Sequence, residues 1–150
     1  MADRHSLERA LATRMHPTAR AWQRLADATL ASLDISSSTG WALVYLQRLG
    51  DDTRQADLAR AVGVTEASLV RTLHALEDAG LVQRVADARD RRANRLRLTE
   101  DGVSLASRID GRLAALRNAL LDGVSDAALE TTLQVLDHLS TALAERRSQP

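Results

Sequence analysis

The sequence predicts a mostly α-helical chain with one small β-hairpin, and three observations lead to that fold class. Apolar residues recur at helical spacing over most of the 150 residues, as in amphipathic helices. Two helical segments are joined by a tight Ala-Val-Gly-Val turn at residues 61–64, which is the spacing of a helix-turn-helix. Two short segments, residues 81–85 and 94–98, follow directly and predict the two strands of the hairpin.

The N-terminal third of the chain predicts two helices before the helix-turn-helix. Residues 1–16 are polar and rich in alanine, and we expect an arm or a helix there. Pro17 suits the first turn of a helix, and apolar residues at helical spacing continue from Trp22. The segment Asp-Ile-Ser-Ser-Ser at residues 34–38 ends that helix, and a second helix is predicted over residues 39–49.

Capping residues delimit the two helices of the helix-turn-helix. Thr53 is a favourable N-cap for a short helix over residues 54–61, and Gly63 ends it. Thr65 is predicted to cap a second helix that continues through Ala79 to the next glycine. A helix-turn-helix followed by a hairpin is a winged helix, so this part of the chain predicts a DNA-binding lobe.

The second of these helices has one apolar face and one small or polar face. Three leucines fall within a narrow arc and form the expected buried side. The opposite face is small near its N-terminus and can enter a major groove about 12 Å wide. The candidate DNA-binding residues around this helix are Arg54, Thr65, Ala67, Ser68, Arg71 and His74. A guanine contact, a phosphate contact and a solvated surface position all remain open for Arg71.

The hairpin carries a basic bias although the net charge of the chain is zero. Residues 84–97 hold six arginines and two aspartates, and all 20 basic residues of the chain are arginine. Arginine favours planar partners such as phosphate and guanine, although genomic base composition also explains an all-arginine chain. The hairpin tip can enter the minor groove, where the candidate DNA-binding residues are Arg89, Arg91 and Arg92. Asp87 and Asp90 are candidate wing-stabilising partners of these arginines, or simply balance charge.

Two long helices close the chain. Thr99 caps a helix whose apolar stripe runs from Val103 to Leu120, and Ser125 caps a last helix with leucines in line to Leu143. These two helices offer more apolar surface than a small winged lobe needs to cover its own core. The excess predicts a homodimer, in which a second copy of the chain covers it. The alternative is that both helices fold back on their own chain.

The predicted domain organisation follows from these elements. One domain spans residues 1–150. Residues 36–99 form the winged helix-turn-helix lobe, and residues 5–35 and 100–146 form a helical dimerisation region.

Other classes of protein find no support in the sequence. The chain has no cysteine, no metal-binding histidine pair, no glycine-rich phosphate loop and no nucleophile elbow. We therefore expect no enzyme, no catalytic residue, no cofactor and no metal. No apolar run approaches the roughly 18 residues of a membrane span, and no secretory signal opens the chain. These observations predict a cytoplasmic protein without a membrane partner.

Two segments resemble the MarR family of transcription regulators. Residues 53–84 resemble its helix-turn-helix, and residues 87–102 resemble its wing, including the specific Leu-Thr-x-x-Gly pattern at residues 98–102. Residues 68–73 and 121–130 are similar to the SlyA branch of the family. The resemblance extends from about Arg20 to Leu143.

The resemblance implies a homodimer on a pseudo-palindromic operator, acting as a repressor or as an activator that displaces other proteins from DNA. It implies that Asp90 and one of Arg91 or Arg92 form the wing pair and the minor-groove contact, and Arg92 is the choice for the groove. Ala75 stands where the wider family often has arginine, so a backbone contact made there is in doubt. The absence of cysteine excludes a thiol-based peroxide sensor.

Many members of the family bind small aromatic acids, which implies a possible effector. Trp41 and Tyr45 lie four residues apart on one helix and Arg20 lies on the preceding one, so together they could hold a ring and a carboxylate. Alternatively, the aromatic residues are simply core. A second alternative, favoured by the zero net charge, is a winged helix used for protein–protein assembly rather than for DNA binding.

Overall fold

The computed structural model describes residues 3–86 and 94–148, and in those residues it contains six helices and three short strands. The predicted fold class, mostly α with a small β-hairpin wing, is confirmed. The elements in chain order are α1 (Arg4–Ala31), α2 (Ser37–Leu49), β1 (Thr53–Arg54), α3 (Gln55–Val62), α4 (Glu66–Asp78), β2 (Val82–Ala86), β3 (Asn94–Leu98), α5 (Glu100–Leu120) and α6 (Asp126–Arg147).

The chain divides into two compact units, Met1–Leu116 and Arg117–Pro150. The first unit contains the elements from α1 to most of α5, and the second contains the end of α5 and α6. Within residues 3–86 and 94–148, no helix combines the length and the apolar character that crossing a bilayer requires.

Of the two alternatives for the N-terminal residues, an arm or a helix, the structure has a helix, which begins at Arg4. Asp3 caps it by accepting a hydrogen bond from the Ser6 backbone N–H at 2.7 Å, and the helix then continues without a break through Pro17. The expected first-turn position of Pro17 is therefore wrong. Proline has no N–H to donate, so α1 continues past this residue with one backbone hydrogen bond fewer.

The core of the first unit is built mainly from leucines on the inner faces of its helices. Leu30 of α1, Leu43 and Leu46 of α2, and Leu58 of α3 are fully buried. On α5 the stripe is shorter than predicted, because Val103 and Leu120 at its two ends are exposed. The α5 residues that are buried are Gly102, Ala106, Ile109 and Leu113.

The three strands form an antiparallel sheet in the order β1-β3-β2. The predicted hairpin is β2 and β3, in which Val82 pairs with Leu98 and Ala86 with Asn94. Strand β1 was not predicted, and it corrects the assignment of Thr53 as a helix cap. Thr53 pairs with Leu96 and its hydroxyl donates to the Gly50 carbonyl at 2.7 Å.

The Leu-Thr-x-x-Gly pattern has a clear structural role at the start of α5. The Thr99 N–H donates to the Leu81 carbonyl at 3.1 Å, and the Thr99 hydroxyl donates to the Gly80 carbonyl at 2.7 Å. The same hydroxyl accepts from the Gly102 N–H at 3.0 Å and so caps α5 as predicted. A Cβ atom on Gly102 would lie 2.0 Å from the Leu81 oxygen. The pattern therefore joins the start of α5 to the segment between α4 and β2.

In the second unit, helix α6 begins where the sequence predicts. Ser125 caps it by accepting from the Ala128 N–H at 3.3 Å. No residue of α6 is buried within the chain, and Leu133 and Leu143 are 59% and 63% exposed. The leucine stripe of α6 is therefore uncovered in the single chain.

Candidate nucleic-acid interface

Helices α3 and α4 form the predicted helix-turn-helix. Gly63 ends α3 in the left-handed conformation, with φ of +82°, which glycine adopts without strain. The N–H groups of Gly63 and Val64 both donate to the Ala59 carbonyl, at 2.9 and 3.0 Å. This tight turn places Thr65 at the N-cap of α4, as predicted.

Helix α4 has the two faces that the helical wheel predicts. Leu69, Leu73 and Leu76 are buried in the core of the first unit. Four predicted DNA-binding residues lie exposed along the helix: Ala67, Ser68, Arg71 and His74. The small residues come first, so the N-terminal backbone of α4 can approach a ligand more closely than its middle can. We refer to α4 as the recognition helix.

At the N-terminus of α4, the side chains of Thr65 and Ser68 are joined by hydrogen bonds. The Thr65 hydroxyl accepts from the Ser68 N–H at 3.1 Å and donates to the Ser68 hydroxyl oxygen at 2.9 Å. Ser68 then has its own hydroxyl proton to donate outward. The partial positive charge of the helix N-terminus favours an anion at the same place.

A groove of about 310 Å³ lies beside Arg71 on the exposed side of α4. It is lined by Ser38, Ala67, Ser68, Arg71 and Thr72. Ser38 and Thr72 were not predicted as site residues. Ser38 comes from the start of α2, which Ser36 caps, and the serine run there indicates only a helix start. No pattern of neighbouring residues predicts that Ser38 lies beside α4, which begins 28 residues later.

The basic bias of the hairpin is partly neutralised inside the lobe. Arg84 Nε lies 2.8 Å from Glu77 Oε1. Arg95 donates to the Asp52 carbonyl at 2.8 Å, and Arg97 Nη2 lies 3.4 Å from Asp52 Oδ1. Three of the six arginines between residues 84 and 97 are thus held by acceptors of the same chain. They add less positive potential toward a ligand than the sequence count indicates.

The remaining hairpin candidates lie outside the described residues. These are the predicted DNA-binding residues Arg89, Arg91 and Arg92 and the wing-stabilising Asp87 and Asp90. The last DNA-binding candidate, Arg54, is exposed in β1 and occupies the N-cap position of α3, where its side chain makes no cap hydrogen bond.

Two of the three candidate effector-binding residues lie together. The rings of Trp41 and Tyr45 have centroids 6.1 Å apart, and both line a small pocket of about 90 Å³ with Gln23 and Val62. The Arg48 guanidinium lies 5.6 Å from the centroid of the Tyr45 ring, within the range of a cation–π contact.

Arg20, the third candidate, is exposed on α1 and lies outside the pocket linings around Trp41 in the described part of the chain. Trp41 and Tyr45 are half-buried against the core, whereas Trp22 is exposed. Trp41 also borders a second pocket of about 390 Å³ that extends toward α4. The described lining residues of that pocket are Ser37, Ser38, Trp41, Val62, Val64, Ser68, Leu69 and Thr72.

A carboxylate fixes the position of Trp41. Asp27 Oδ1 accepts hydrogen bonds from Ser37 Oγ at 2.6 Å, Trp41 Nε1 at 3.0 Å and Gln23 Nε2 at 3.1 Å. Partial burial acts to raise the pKa of Asp27, but the hydrogen bonds from Ser37, Trp41 and Gln23 outweigh it, so the pKa lies below its ordinary value. A negative charge therefore lies against Trp41 at neutral pH.

Metal chemistry has no visible basis in the described residues. Across residues 3–86 and 94–148, no group of three or more histidine, aspartate or glutamate side chains is placed to hold a metal ion.

A family model described as MarR family matches residues 33–93. The transcriptional regulator PA3341 is 35% identical in a match that covers 90% of this chain and 98% of that one, with a TM-score of 0.83. S. aureus MepR in a DNA complex is 25% identical, with 94% and 96% covered and a TM-score of 0.70. A mutant E. coli MarR complexed with operator DNA is 20% identical, with 92% and 99% covered and a TM-score of 0.73, and this likeness is one of fold.

Proposed function

Because this chain belongs to the MarR family of transcription regulators, we propose that it represses transcription by binding a pseudo-palindromic operator as a homodimer. Membership of the family makes the chain a regulator and not an enzyme. S. aureus MepR and E. coli MarR, which share the fold, have been solved with DNA.

The observation that carries the proposal is the exposed face of α4. Its opposite face is anchored in the core by Leu69, Leu73 and Leu76, so the helix is presented as a rigid element. With α4 in the major groove of DNA, Ser68 donates to a phosphate near the helix N-terminus, and Arg71 reaches a guanine edge or a phosphate. His74 lies one turn further along. Arg54 is proposed as an additional phosphate contact because it is exposed at the start of α3.

The hairpin is proposed to contact the minor groove. Arg92 is the residue that we place in the groove, with Asp90 and Arg91 as the pair that orients it, and Arg89 and Asp87 as further members of the tip. The support for this is the family resemblance together with the pairing of Arg84, Arg95 and Arg97 within the lobe. That pairing involves three of the six arginines between residues 84 and 97, and the other three are Arg89, Arg91 and Arg92.

Uncovered apolar side chains support the homodimer. Leu7, Leu11 and Met15 are exposed on α1, and Leu133 and Leu143 are exposed on α6. Leaving large apolar side chains in water is unfavourable by about 25 cal/mol per Å², and a second copy of the chain can cover them. A two-fold dimer also presents two recognition helices, which suit half-sites about 34 Å apart.

We further propose that a small aromatic ligand binds beside Trp41 and lowers the affinity for DNA. Trp41 lines pockets on two sides, and the larger one is also bordered by Ser68 and Thr72 of the recognition helix. Arg48 lies over the Tyr45 ring but pairs with Asp110 at 3.2 Å, and like Arg20 it is not among the described lining residues of either pocket. The charge of Asp27 beside Trp41 opposes a carboxylate, so the aromatic ring of the ligand is the part that this site favours. Quenching of Trp41 fluorescence by benzoate in a Trp22→Phe variant tests this; an unchanged spectrum would remove aromatic acids from consideration.

The test of DNA binding is selection from a genomic duplex pool at two salt concentrations, with the bound fraction sequenced. We expect enrichment of a two-fold symmetric site, with binding that weakens steeply as salt increases. Absent or salt-insensitive binding would contradict the proposal and make a protein–protein assembly module the better account. Light scattering of the purified protein should give the mass of two 16.3 kDa chains; a monomer would contradict the dimer.

A further inference from the structure

Arg84 connects the hairpin to both helices of the helix-turn-helix. It lies in the middle of β2, where its backbone pairs with Leu96. Its Nε donates to Glu77 Oε1 at 2.8 Å, and its Nη1 donates to Gln55 Oε1 at 3.3 Å. Glu77 belongs to the last turn of α4 and Gln55 is the first residue of α3.

Gln55 extends this connection to the other end of the recognition helix. Its Nε2 lies 3.5 Å from the carbonyl oxygen of Glu66, the first residue of α4, which makes a weak hydrogen bond. The side chains of Arg84, Glu77 and Gln55 therefore link both ends of α4 to β2. These hydrogen bonds connect α4 to the hairpin, the two regions that are proposed to contact DNA.

The position of Glu77 is unfavourable for the helix alone. The C-terminus of a helix carries partial negative charge, and an acid in the last turn destabilises it. Helix α4 has no basic residue in that turn to compensate. Arg84 supplies the compensating charge from β2, and both side chains are only 26% exposed, so solvent screens this pair less than a surface pair.

We propose that Arg84 is a positioning residue, which fixes the orientation of the recognition helix relative to the hairpin and so determines specificity for the operator. The inference rests on the proposed DNA-binding function. It requires arginine in particular, because a guanidinium can donate from Nε and Nη1 in two directions at once, whereas the ammonium of lysine acts as a point charge. The competing interpretation is that Arg84 contacts a phosphate directly.

The two interpretations predict opposite behaviour when Glu77 is neutralised. If Arg84 bound phosphate, Glu77→Gln would release it and tighten binding to every duplex. If Arg84 positions α4, the same change loosens the helix and lowers discrimination between duplexes. Removal of a phosphate contact by Arg84→Gln would also lower the salt slope by about one ion, whereas loss of a positioning residue leaves the slope unchanged.

The experiment measures Kd for the enriched operator and for a scrambled duplex of equal length, at several salt concentrations. The variants are Arg84→Gln, Arg84→Lys and Glu77→Gln. A matched control exists on α1, where Arg4 Nε and Glu8 Oε1 are also 2.8 Å apart but the side chains are 90% and 56% exposed. Arg4→Gln and Glu8→Gln therefore make the same charge changes at a solvent-screened pair. Circular dichroism confirms that each variant is folded at the assay temperature. Light scattering confirms that each variant keeps the wild-type mass, because Arg4 and Glu8 flank Leu7, which is proposed to face a second copy of the chain.

We expect the ratio of scrambled to operator Kd to fall by roughly tenfold or more in all three variants, as for loss of a charge-assisted hydrogen bond. The salt slope should stay constant and both controls should keep the wild-type ratio. An unchanged ratio in Arg84→Gln, a salt slope lowered by about one in that variant, or tighter binding to both duplexes with an unchanged ratio in Glu77→Gln would overturn the inference. If the wild-type protein itself does not distinguish the duplexes, the proposed function fails and not the role of Arg84 alone.

Discussion

Replacement of Gly102 by alanine tests whether the stability of the protein depends on the close approach between Gly102 and the Leu81 carbonyl. Gly102 lies in the first turn of α5, and helix propensity alone predicts that alanine would stabilise the protein by about 0.5–1 kcal/mol. The structure predicts the opposite sign. A Cβ at this position would lie 2.0 Å from the carbonyl oxygen of Leu81 and 3.2 Å from Leu98 Cδ2.

The size of the effect follows from what must move. The nearest obstacle is a backbone oxygen and not the end of a flexible side chain, so α5 and the α4–β2 connection must separate by about 1 Å. That separation weakens the hydrogen bonds from Thr99 to Leu81 and Gly80. Each of those bonds contributes about 0.5–1.5 kcal/mol, and overpacking costs about 1–3 kcal/mol. After the gain in propensity, we expect a net loss of about 2–4 kcal/mol.

Urea unfolding followed by circular dichroism, at one fixed protein concentration, measures this loss. Gly111→Ala is the matched control, because Gly111 is in the same helix and its Cβ would meet no atom within 4 Å. We expect the control to be as stable as the wild type or about 0.5–1 kcal/mol more stable. A Gly102→Ala protein as stable as the Gly111→Ala protein would refute the reasoning.

Three further predictions concern the recognition helix and the region around Trp41. Arg71→Ala should weaken operator binding by about 1–3 kcal/mol in a fluorescence anisotropy titration, and an equal loss on unrelated duplexes would make Arg71 a phosphate contact only. Thr65→Ala should lower the free energy of unfolding by about 1 kcal/mol, since it removes the N-cap of α4. An unchanged midpoint of urea unfolding would argue against that cap. The pKa of Asp27 is lowered from 3.8 in the folded protein, so its contribution to stability is complete above that pH and is lost as the pH falls through the folded pKa. The stability difference between wild type and Asp27→Asn should therefore shrink on acidification below 3.8, and a difference independent of pH would contradict the role of Asp27.

Much of the helix-turn-helix could be predicted because its signals are local. The caps at Thr65 and Ser125 and the left-handed Gly63 depend on a few neighbouring residues, and the structure confirms each of them. The burial of one face of α4 follows from spacing alone. Pro17 shows the limit of such a rule, because a proline that suits a first turn also occurs within a helix already capped at Asp3.

The parts that were missed depend on residues distant in sequence. Strand β1 has two residues, too few for any periodicity, and forms only because β3 pairs with it. The basic bias of the hairpin could be counted from the sequence, but its partial neutralisation could not. Arg95 and Arg97 both donate to Asp52, which lies 43 and 45 residues earlier.

The proposed function requires that α4 contacts base edges in the major groove. Guanine and adenine each expose N7 there, and replacing one purine at a time by its 7-deaza analogue removes that acceptor without changing the phosphates. Affinity should be measured for each singly substituted version of the enriched operator. We expect losses of affinity at a few positions related by two-fold symmetry, and smaller losses at those positions with Arg71→Ala. Uniform affinity across all substituted duplexes would contradict readout of bases by the recognition helix.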